Sequence, residues 1–191
     1  MDVLDKVRAG VLGHFGVNSA DVASVTFLGL EPIDILRIPD GELVHYVTLG
    51  GSRHPMTDPA AALADPVRGP RAELVLTLLG GVGAGSGLTR ALGVLAAAPA
   101  VEGVVLQPDG LLDLGEPLWS GASFTAVLLG AADIPEVELP EPAEPVRFLT
   151  VTPITATEAA WVRVRGASAL REAWREADID ICDPARGAAS L

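Results

Sequence analysis

The sequence predicts an α+β fold in which buried β-strands lie between layers of α-helices. Residues 43–49, Leu-Val-His-Tyr-Val-Thr-Leu, are β-prone and carry apolar side chains on both alternating faces. Residues 71–79 repeat this pattern. Between Leu4 and Phe15, apolar residues instead recur at helical spacing. Because a strand that is buried on both faces needs a layer above it and a layer below it, we expect helices to flank the sheet.

The length and composition fit a single domain with its own core. The chain has 191 residues, and 49% of them are hydrophobic, which is enough for a sizeable core. No apolar run reaches the roughly 18 residues that a membrane-spanning helix needs, and the N-terminus lacks the basic and then apolar order of a signal peptide. Cys182 is the only cysteine, so no intrachain disulfide is possible. We therefore expect one cytoplasmic domain over residues 1–191.

The charge of the chain favours a basic protein as its partner. Asp and Glu outnumber Lys and Arg by 25 to 13, which gives a formal net charge of −12. A field of this sign repels nucleic acid and anionic lipid, so we expect neither nucleic acid nor a membrane as a partner. The alternative is that the acidity serves solubility alone. Lys6 is the only lysine, and Gly and Pro are abundant, which indicates the codon usage of a GC-rich bacterial genome.

Turn residues divide the first half of the chain into elements. The first helix has a plausible end at Gly16. Two short β-prone runs, at residues 25–28 and 33–38, are separated by a turn at residues 29–32. This arrangement predicts an antiparallel pair that precedes the strand at residues 43–49.

The middle of the chain continues with a helix, a turn-rich segment and a strand. Apolar residues from Leu88 onward predict a helix that stops near Pro99, because proline disfavours helical geometry in the residue before it. Residues 107–119 are rich in turn residues, and residues 123–129 form another strand that is apolar on both faces. The residues that we expect in the core are Leu43, Val47, Leu74, Leu76, Phe124, Val127, Phe148 and Leu149.

The last third of the chain begins with an acidic, proline-rich loop. Residues 131–145 contain five acidic residues and no basic one, which predicts an extended and solvated loop. Residues 146–152 resume a strand, and residues 155–158, Thr-Ala-Thr-Glu, have the spacing of a capping box that starts a helix. Gly166 interrupts this helix, and Ser168 can cap the next one.

Residues 80–87, Gly-Gly-Val-Gly-Ala-Gly-Ser-Gly, follow a strand and precede a helix, as a phosphate-binding loop would. The spacing does not match the dinucleotide-binding pattern, because Ser86 takes the place of its last glycine. The lysine of a Walker loop is also missing. We expect this loop to be a flexible connector. A nucleotide- or metabolite-binding enzyme that uses residues 80–87 is the catalytic alternative.

Other catalytic patterns in the sequence are incomplete. Residues 50–54, Gly-Gly-Ser-Arg-His, imitate the nucleophile elbow of serine hydrolases, but the fifth position is not glycine and no histidine follows His54. His45 and His54 lack the spacing of zinc ligands. We therefore expect a protein that is not an enzyme, with no catalytic residue, no metal site and no cofactor.

Four blocks of the sequence resemble the suppressor of fused domain family. Residues 45–56 are similar to its His-Tyr-(Val/Ile)-(Thr/Ser)-x-Gly-x-Ser signature, and residues 71–78 to its Glu-Leu-containing strand. Residues 146–158 are similar to its block that ends in Thr-x-x-Glu, and residues 180–186 to its closing Asp-x-x-Arg element. The glycine loop at residues 80–87 departs from the family, whose members often carry Pro-x-Trp-Pro there.

This resemblance implies a mixed, largely antiparallel β-sheet flanked by α-helices, and protein binding in place of catalysis. Bacterial members of the family resemble predicted immunity proteins that are encoded beside polymorphic toxins. The resemblance therefore implies a protein that binds and neutralises a basic partner such as a toxin. The alternative within the same fold is a structural or assembly subunit of a bacterial protein complex.

We expect the partner to bind the loops that leave the central strands. In the turn-rich segment a tryptophan lies beside three acidic residues, and an aromatic anchor among charged residues is typical of a binding hot spot. The predicted partner-binding residues are Ser52, Arg53, His54, Met56, Asp58, Asp109, Asp113, Glu116 and Trp119. The alternatives are that Trp119 is a core residue under its loop, and that the partner binds the acidic loop at residues 136–144.

Overall fold

The computed structural model describes all 191 residues, and its centre is one seven-stranded β-sheet. The strands are β1 (Asp21–Val25), β2 (Ile33–Asp40), β3 (Leu43–Leu49), β4 (Arg71–Leu79), β5 (Leu111–Asp113), β6 (Phe124–Ala131) and β7 (Val146–Thr155). Their order across the sheet is β1-β2-β3-β4-β7-β6-β5. Only β4 and β7 pair in parallel, and every other pair is antiparallel. The predicted mixed, largely antiparallel sheet is therefore confirmed.

Helices cover both faces of the sheet, as predicted. They are α1 (Val3–Phe15), α2 (Leu88–Glu102), α3 (Ala156–Arg165) and α4 (Ala167–Glu176), with a short 3₁₀ turn at Gly51–Arg53. Helix α2 packs on one face, where Leu74, Leu76 and Leu78 of β4 point. Helix α1 packs on the opposite face against Val75, and α3 and α4 cover the β6–β7 end of that same face. None of the four helices has the length and apolar character needed to cross a bilayer.

The strand β3 is buried on both faces. Val44 and Tyr46 belong to the cluster under α2, and Val47 and Leu49 belong to the cluster under α1. All of the predicted core residues are buried with one exception. That exception is Leu43, which is only half-buried because it lies at the end of β3, opposite the partly exposed Leu79.

The predicted end of α2 near Pro99 is three residues too early. The helix continues for one more turn to Glu102 and ends at Gly103, whose left-handed backbone allows its N–H to donate to the Pro99 carbonyl. Proline removes one helical hydrogen bond. The residues that precede it, Leu95 to Ala98, are all buried, and this packing holds the helix together through the proline.

The structure also corrects several local predictions. Strand β1 occupies residues 21–25 and not 25–28, and the turn-rich segment contains the short edge strand β5. The acidic loop is not fully solvated, because Ile134 is buried against the α1 cluster. Ser168 does not cap α4, since the helix already begins at residue 167. The capping box at residues 155–158 is confirmed, with both reciprocal hydrogen bonds in place.

Candidate functional site

Three of the nine predicted partner-binding side chains are buried. Ser52 bonds to Glu73, Met56 lies in the core cluster under α2, and the ring of Trp119 packs 5.6 Å from that of Phe124. These contacts correct the prediction that the three side chains form a contact surface. Arg53 is partly exposed, and the others, His54, Asp58, Asp109, Asp113 and Glu116, are exposed.

Three of the four exposed acids of the predicted surface are paired with arginines of the same chain, and Asp58 is not. Asp109 pairs with Arg171 of α4, Asp113 with Arg163 of α3 at 2.7 Å, and Glu116 with Arg90 of α2 at 3.2 Å. The hydrogen bond from Arg163, together with the Gly115 N–H, lowers the pKa of Asp113. This edge of the sheet is therefore less negative than the sequence alone indicates.

The structure places the two predicted groups of residues at different positions. The loop at residues 52–58 lies at the start of β4, where the Met56 N–H donates to the Pro70 carbonyl. The Leu106 N–H donates to Met56 Sδ at 3.2 Å, which brings this loop next to the segment that precedes Asp109. Residues 111–119, however, begin with the edge strand β5 itself, which is separated from β4 by β7 and β6. The nine residues do not form one continuous surface.

The residues of the His-Tyr-Val-Thr-x-Gly-x-Ser block form a buried network around Glu73. The Thr48 hydroxyl donates to Glu73 Oε2 at 2.6 Å, while Oε1 accepts the Gly50 N–H at 2.8 Å, the Ser52 N–H at 2.9 Å and the Ser52 hydroxyl at 2.5 Å. Thr48 Oγ1 also accepts the Leu74 N–H, so it replaces a backbone carbonyl where the β3–β4 ladder ends. Burial raises the pKa of Glu73, although these four donors act in the opposite direction.

This network explains the signature without catalysis. The carboxylate of Glu73 satisfies two loop amides, at residues 50 and 52, that the sheet leaves without partners. Arg71 fixes the same loop from its other side, since its guanidinium donates to the carbonyls of Ser52, Arg53 and Val67. Burial lowers the pKa of Arg71, which the nearby Glu144 partly offsets. The loop after β3 is thus anchored by the buried side chains of Glu73 and Arg71.

A second buried carboxylate joins the C-terminal segment to α3 and α4. Glu158 accepts hydrogen bonds from Arg186 at 2.8 Å and 3.1 Å, from Trp174 Nε1 at 3.0 Å, and from the N–H groups of Thr155 and Ala189, both at 3.0 Å. Burial opposes ionisation of Glu158, but these donors outweigh it and lower the pKa of Glu158. The Thr-x-x-Glu and Asp-x-x-Arg blocks therefore meet in one structural site.

Packing against Tyr46 explains a glycine of the loop at residues 80–87. The Tyr46 hydroxyl accepts the Val82 N–H at 3.0 Å and donates to the Val82 carbonyl at 3.2 Å. Gly81 has a left-handed backbone with φ at 66°, and a Cβ there would lie 2.8 Å from that hydroxyl. This contact within the protein holds the loop without a bound ligand. That the loop binds no nucleotide stays a prediction.

No group of three or more His, Cys, Asp or Glu side chains in the structure could hold a metal ion.

The sequence matches the model of a known protein family. The description of that model is "Suppressor of fused protein (SUFU)", and it matches residues 29–187. The chain belongs to the suppressor of fused family. The match includes all four blocks on which the resemblance rested, and both buried carboxylates, Glu73 and Glu158, lie inside it. No curated protein sequence matches the chain.

Solved structures of the family share this fold. A SUFU homologue from Neisseria gonorrhoeae FA 1090 is 20% identical, with a TM-score of 0.66 and coverage of 98% of this chain and 96% of that one. The Sufu–Fu complex matches at 13% identity, with a TM-score of 0.65 and coverage of 97% and 91%. Drosophila Suppressor of Fused matches at 14% identity and a TM-score of 0.51, with coverage of 84% and 43%. At 20% identity or less, these matches show that the chains share a fold.

Proposed function

We propose that this SUFU-family protein is a non-catalytic binding domain of the bacterial cytoplasm that holds and neutralises a basic protein, such as a toxin. The observation that carries the proposal is an acidic surface with few basic counterparts. The loop at residues 131–145 contains five carboxylates, and only Glu136 forms a salt bridge, with Arg147 at 3.1 Å. Charges that are unpaired in the free protein are available to a cationic partner.

Protein binding has support from within the family. The Sufu–Fu complex is an assembly of a SUFU protein with another protein, and its fold covers 97% of this chain. The two most buried carboxylates, Glu73 and Glu158, are enclosed by donors of the protein and are not open to a substrate. These features favour binding over catalysis.

We propose that the acidic loop at residues 131–145 forms more of the interface than the acids at residues 109–116, because its carboxylates are mostly unpaired. Asp109, Asp113 and Glu116 must each give up or share an arginine before they bind a cationic group. Glu138, Glu141 and Glu144 form no salt bridge and are exposed. We therefore propose that the loop makes the first contact with the partner, and that the exposed loop residues Arg53, His54 and Asp58 contribute at a separate position.

The test is affinity capture from the cytoplasm of the native bacterium, with three charge variants that each remove three acids. One variant carries Glu138→Gln, Glu141→Gln and Glu144→Gln, and the second carries Asp109→Ala, Asp113→Ala and Glu116→Ala. The matched control carries Glu42→Gln, Glu102→Gln and Glu176→Gln, three exposed glutamates in other places. We expect a basic protein that the control retains and the loop variant loses. Capture of no basic protein, or equal loss in all three variants, contradicts the proposal.

A further inference from the structure

Strand β1, at residues 21–25, is an open edge of the sheet. It is the terminal strand and pairs only with β2, through five consecutive residues without a bulge. Its first four residues are exposed, and only Val25 is partly buried. No main-chain N–H or C=O of these five residues bonds to a group outside the β1–β2 ladder. Because alternate residues of an antiparallel edge strand direct both groups away from the neighbouring strand, β1 has donors and acceptors free for a further strand.

This edge lacks the features that usually prevent another strand from adding to a sheet. The segment Asp-Val-Ala-Ser-Val contains no proline and no lysine, and Asp21 is its only charged residue. The opposite edge strand, β5, is by contrast only three residues long. The family match begins at residue 29, so β1 lies outside the residues that the family model matches. What this edge binds therefore does not follow from membership of the family.

A cleft of about 450 Å³ lies beside this edge, between the sheet and the glycine loop at residues 80–87. Ile35 of β2 and Tyr46 of β3 line it from the sheet. Val82 and Ala84 line it from the loop, and Leu88 lines it from the start of α2. The Tyr46 hydroxyl is already bonded to the main chain of Val82, so these residues offer the cleft mainly apolar surface.

Ala23 brings the cleft into register with a strand that adds to β1. Ala23 pairs with Ile35, so the two side chains lie on the same face of the sheet, and both residues line the cleft. Every second side chain of an added strand would lie on this face, beside the small methyl group of Ala23. Asp21 and Arg37, which also line the cleft, are 4.0 Å apart and neutral as a pair. The cleft itself therefore favours an apolar side chain over a charged one.

We infer that β1 and this cleft bind an extended segment of another protein, which adds one strand to the sheet and inserts an apolar side chain into the cleft. Main-chain hydrogen bonds to β1 hold such a segment, and the cleft selects the side chain. Basic residues on either side of the apolar one are favoured, because the whole chain has a formal net charge of −12.

A second copy of the chain fits this edge less well. Two copies that each have a net charge of −12 repel each other. A pair of β1 strands would also be only five residues long, which is small for an interface when stable ones bury at least about 1,200 Å². The inferred site is separate from the acidic loop at residues 131–145 and does not depend on it.

The test is an NMR titration of the isotope-labelled protein with the acetylated and amidated peptide Lys-Val-Thr-Phe-Thr-Val-Lys, whose Val and Phe side chains share one face of a strand. We expect saturable amide shifts at residues 21–25 and 82–89, and slower hydrogen exchange at alternate amides of β1. The control peptide has the same sequence with every internal amide N-methylated. It keeps the side chains and charges but cannot donate to β1, so it should not bind.

Two lysine variants locate the site on the protein. Ala23→Lys places a charge on the cleft side of the edge and should raise the Kd about tenfold or more. Ala131→Lys is the matched control, because it makes the same change at an exposed alanine of β6. The variant that removes the acids at residues 138, 141 and 144 should still bind the peptide, so this inference and the proposed function can fail independently.

Several results would overturn the inference. They are the absence of saturable shifts at residues 21–25 up to ~2 mM peptide, equal binding of the N-methylated peptide, and equal effects of the two lysine variants. Shifts without slower exchange at β1 would mean docking without strand pairing and would also overturn it. Protection of the same amides by the protein alone, rising with its concentration, would assign the edge to a second copy of the chain. If Ala23→Lys does not fold, the comparison of the two peptides decides.

Discussion

Ser52 donates two hydrogen bonds to the same oxygen of Glu73, one from its backbone N–H at 2.9 Å and one from its hydroxyl at 2.5 Å. Ser52 comes directly after the two glycines that follow β3, and Glu73 lies within the neighbouring strand β4. The pair fixes the position at which the chain leaves the sheet. A serine that resembles a nucleophile in the sequence is in the structure a buried anchor of a loop.

Two replacements of Glu73 should measure how much its acceptor oxygens stabilise the loop after β3. Glu73→Ala leaves the loop amides and two hydroxyls without their acceptor, and because each buried donor that lacks a partner costs about 1 to 3 kcal/mol, we expect a loss of at least about 3 kcal/mol. Glu73→Gln keeps one acceptor oxygen and the shape of the side chain, so its loss should be smaller. Chemical denaturation measures both values. A Glu73→Ala loss below about 1 kcal/mol would show that the network does not hold the loop.

The stability contributed by Glu158 should disappear in acid. Its pKa in the folded protein is lower than its ordinary value of 4.5, so the unfolded state binds the proton more tightly. The stabilisation is therefore fully present above pH 4.5 and is lost as the pH falls through the lower, folded pKa. At neutral pH, Glu158→Gln should cost about 3 to 5 kcal/mol, because it leaves the buried Arg186 without its charged partner. The cost should shrink in acid, as measured by denaturation at a series of pH values.

Glu73 should show the opposite dependence on pH. Burial raises its pKa in the folded protein, so the folded state binds the proton more tightly than the unfolded state. The stability that protonated Glu73 contributes is present below its ordinary pKa of 4.5 and is lost as the pH rises through the folded pKa. The difference in stability between the wild type and Glu73→Gln should therefore decrease with rising pH. An increase would mean that the four donors outweigh burial.

Leu76→Ala tests the central strand. Leu76 is 1% exposed in the cluster under α2, and we expect a loss of about 2 to 5 kcal/mol in a single cooperative transition. Leu79→Ala on the same strand is the control, because that side chain is 38% exposed and should lose much less. Two separate transitions in thermal or chemical denaturation would contradict the expectation of one domain over residues 1–191.

Nucleotides should not stabilise the protein. ATP, GTP or NAD at millimolar concentration should leave the Tm unchanged, because the glycine loop lacks the required spacing and lysine, and Tyr46 bonds to its centre. A ligand at 100 times its Kd would add about 2.7 kcal/mol, which a thermal-shift assay detects. A clear rise in the Tm would support the alternative of an enzyme that uses residues 80–87.

Once the partner is identified, the variants that remove acids at residues 138–144 and at residues 109–116 should also differ in their binding kinetics. If opposite charges steer association, the association rate should fall steeply between low and physiological salt, while the dissociation rate changes less. We expect the loop variant at residues 138, 141 and 144 to lose more of this salt dependence than the variant at residues 109, 113 and 116. Surface-exposed salt bridges contribute little, so neither variant should change the Tm strongly. A larger effect at residues 109–116 would place the interface at the β5 edge.

Local patterns carried most of what the sequence could predict. Strand β4 was predictable with its bounds because apolar residues fill both of its faces, and the capping box at residues 155–158 was predictable because its atoms are three residues apart. Strand β5 within the turn-rich segment was not predicted, because a strand of three residues is too short to show an alternating pattern of apolar and polar residues. The end of α2 was predicted too early at Pro99, because proline is a local signal and the burial that keeps the helix going comes from contacts with distant strands.

The candidate interface was less predictable because charge and burial there depend on distant residues. Asp109 and its partner Arg171 are 62 residues apart in the chain, and no spacing pattern connects them. Trp119 lies in a segment rich in acids and turns, yet it packs on Phe124 in the core. The sequence contains the charges of such a surface but not their pairing.

The single parallel strand pair divides the molecule in two. Strands β1 to β4 are consecutive in the chain and adjacent in the sheet, and β5 to β7 form the remaining three, so within the sheet the halves meet only where β4 pairs with β7 along five residues. The glycine loop at residues 80–87 lies between these halves in the chain. A cut in that loop would yield two complementary fragments, each with an unbroken run of strands. Helix α2 would belong to the second fragment and its core partners in β2, β3 and β4 to the first, so the two fragments could complete the core only by reassembling with each other.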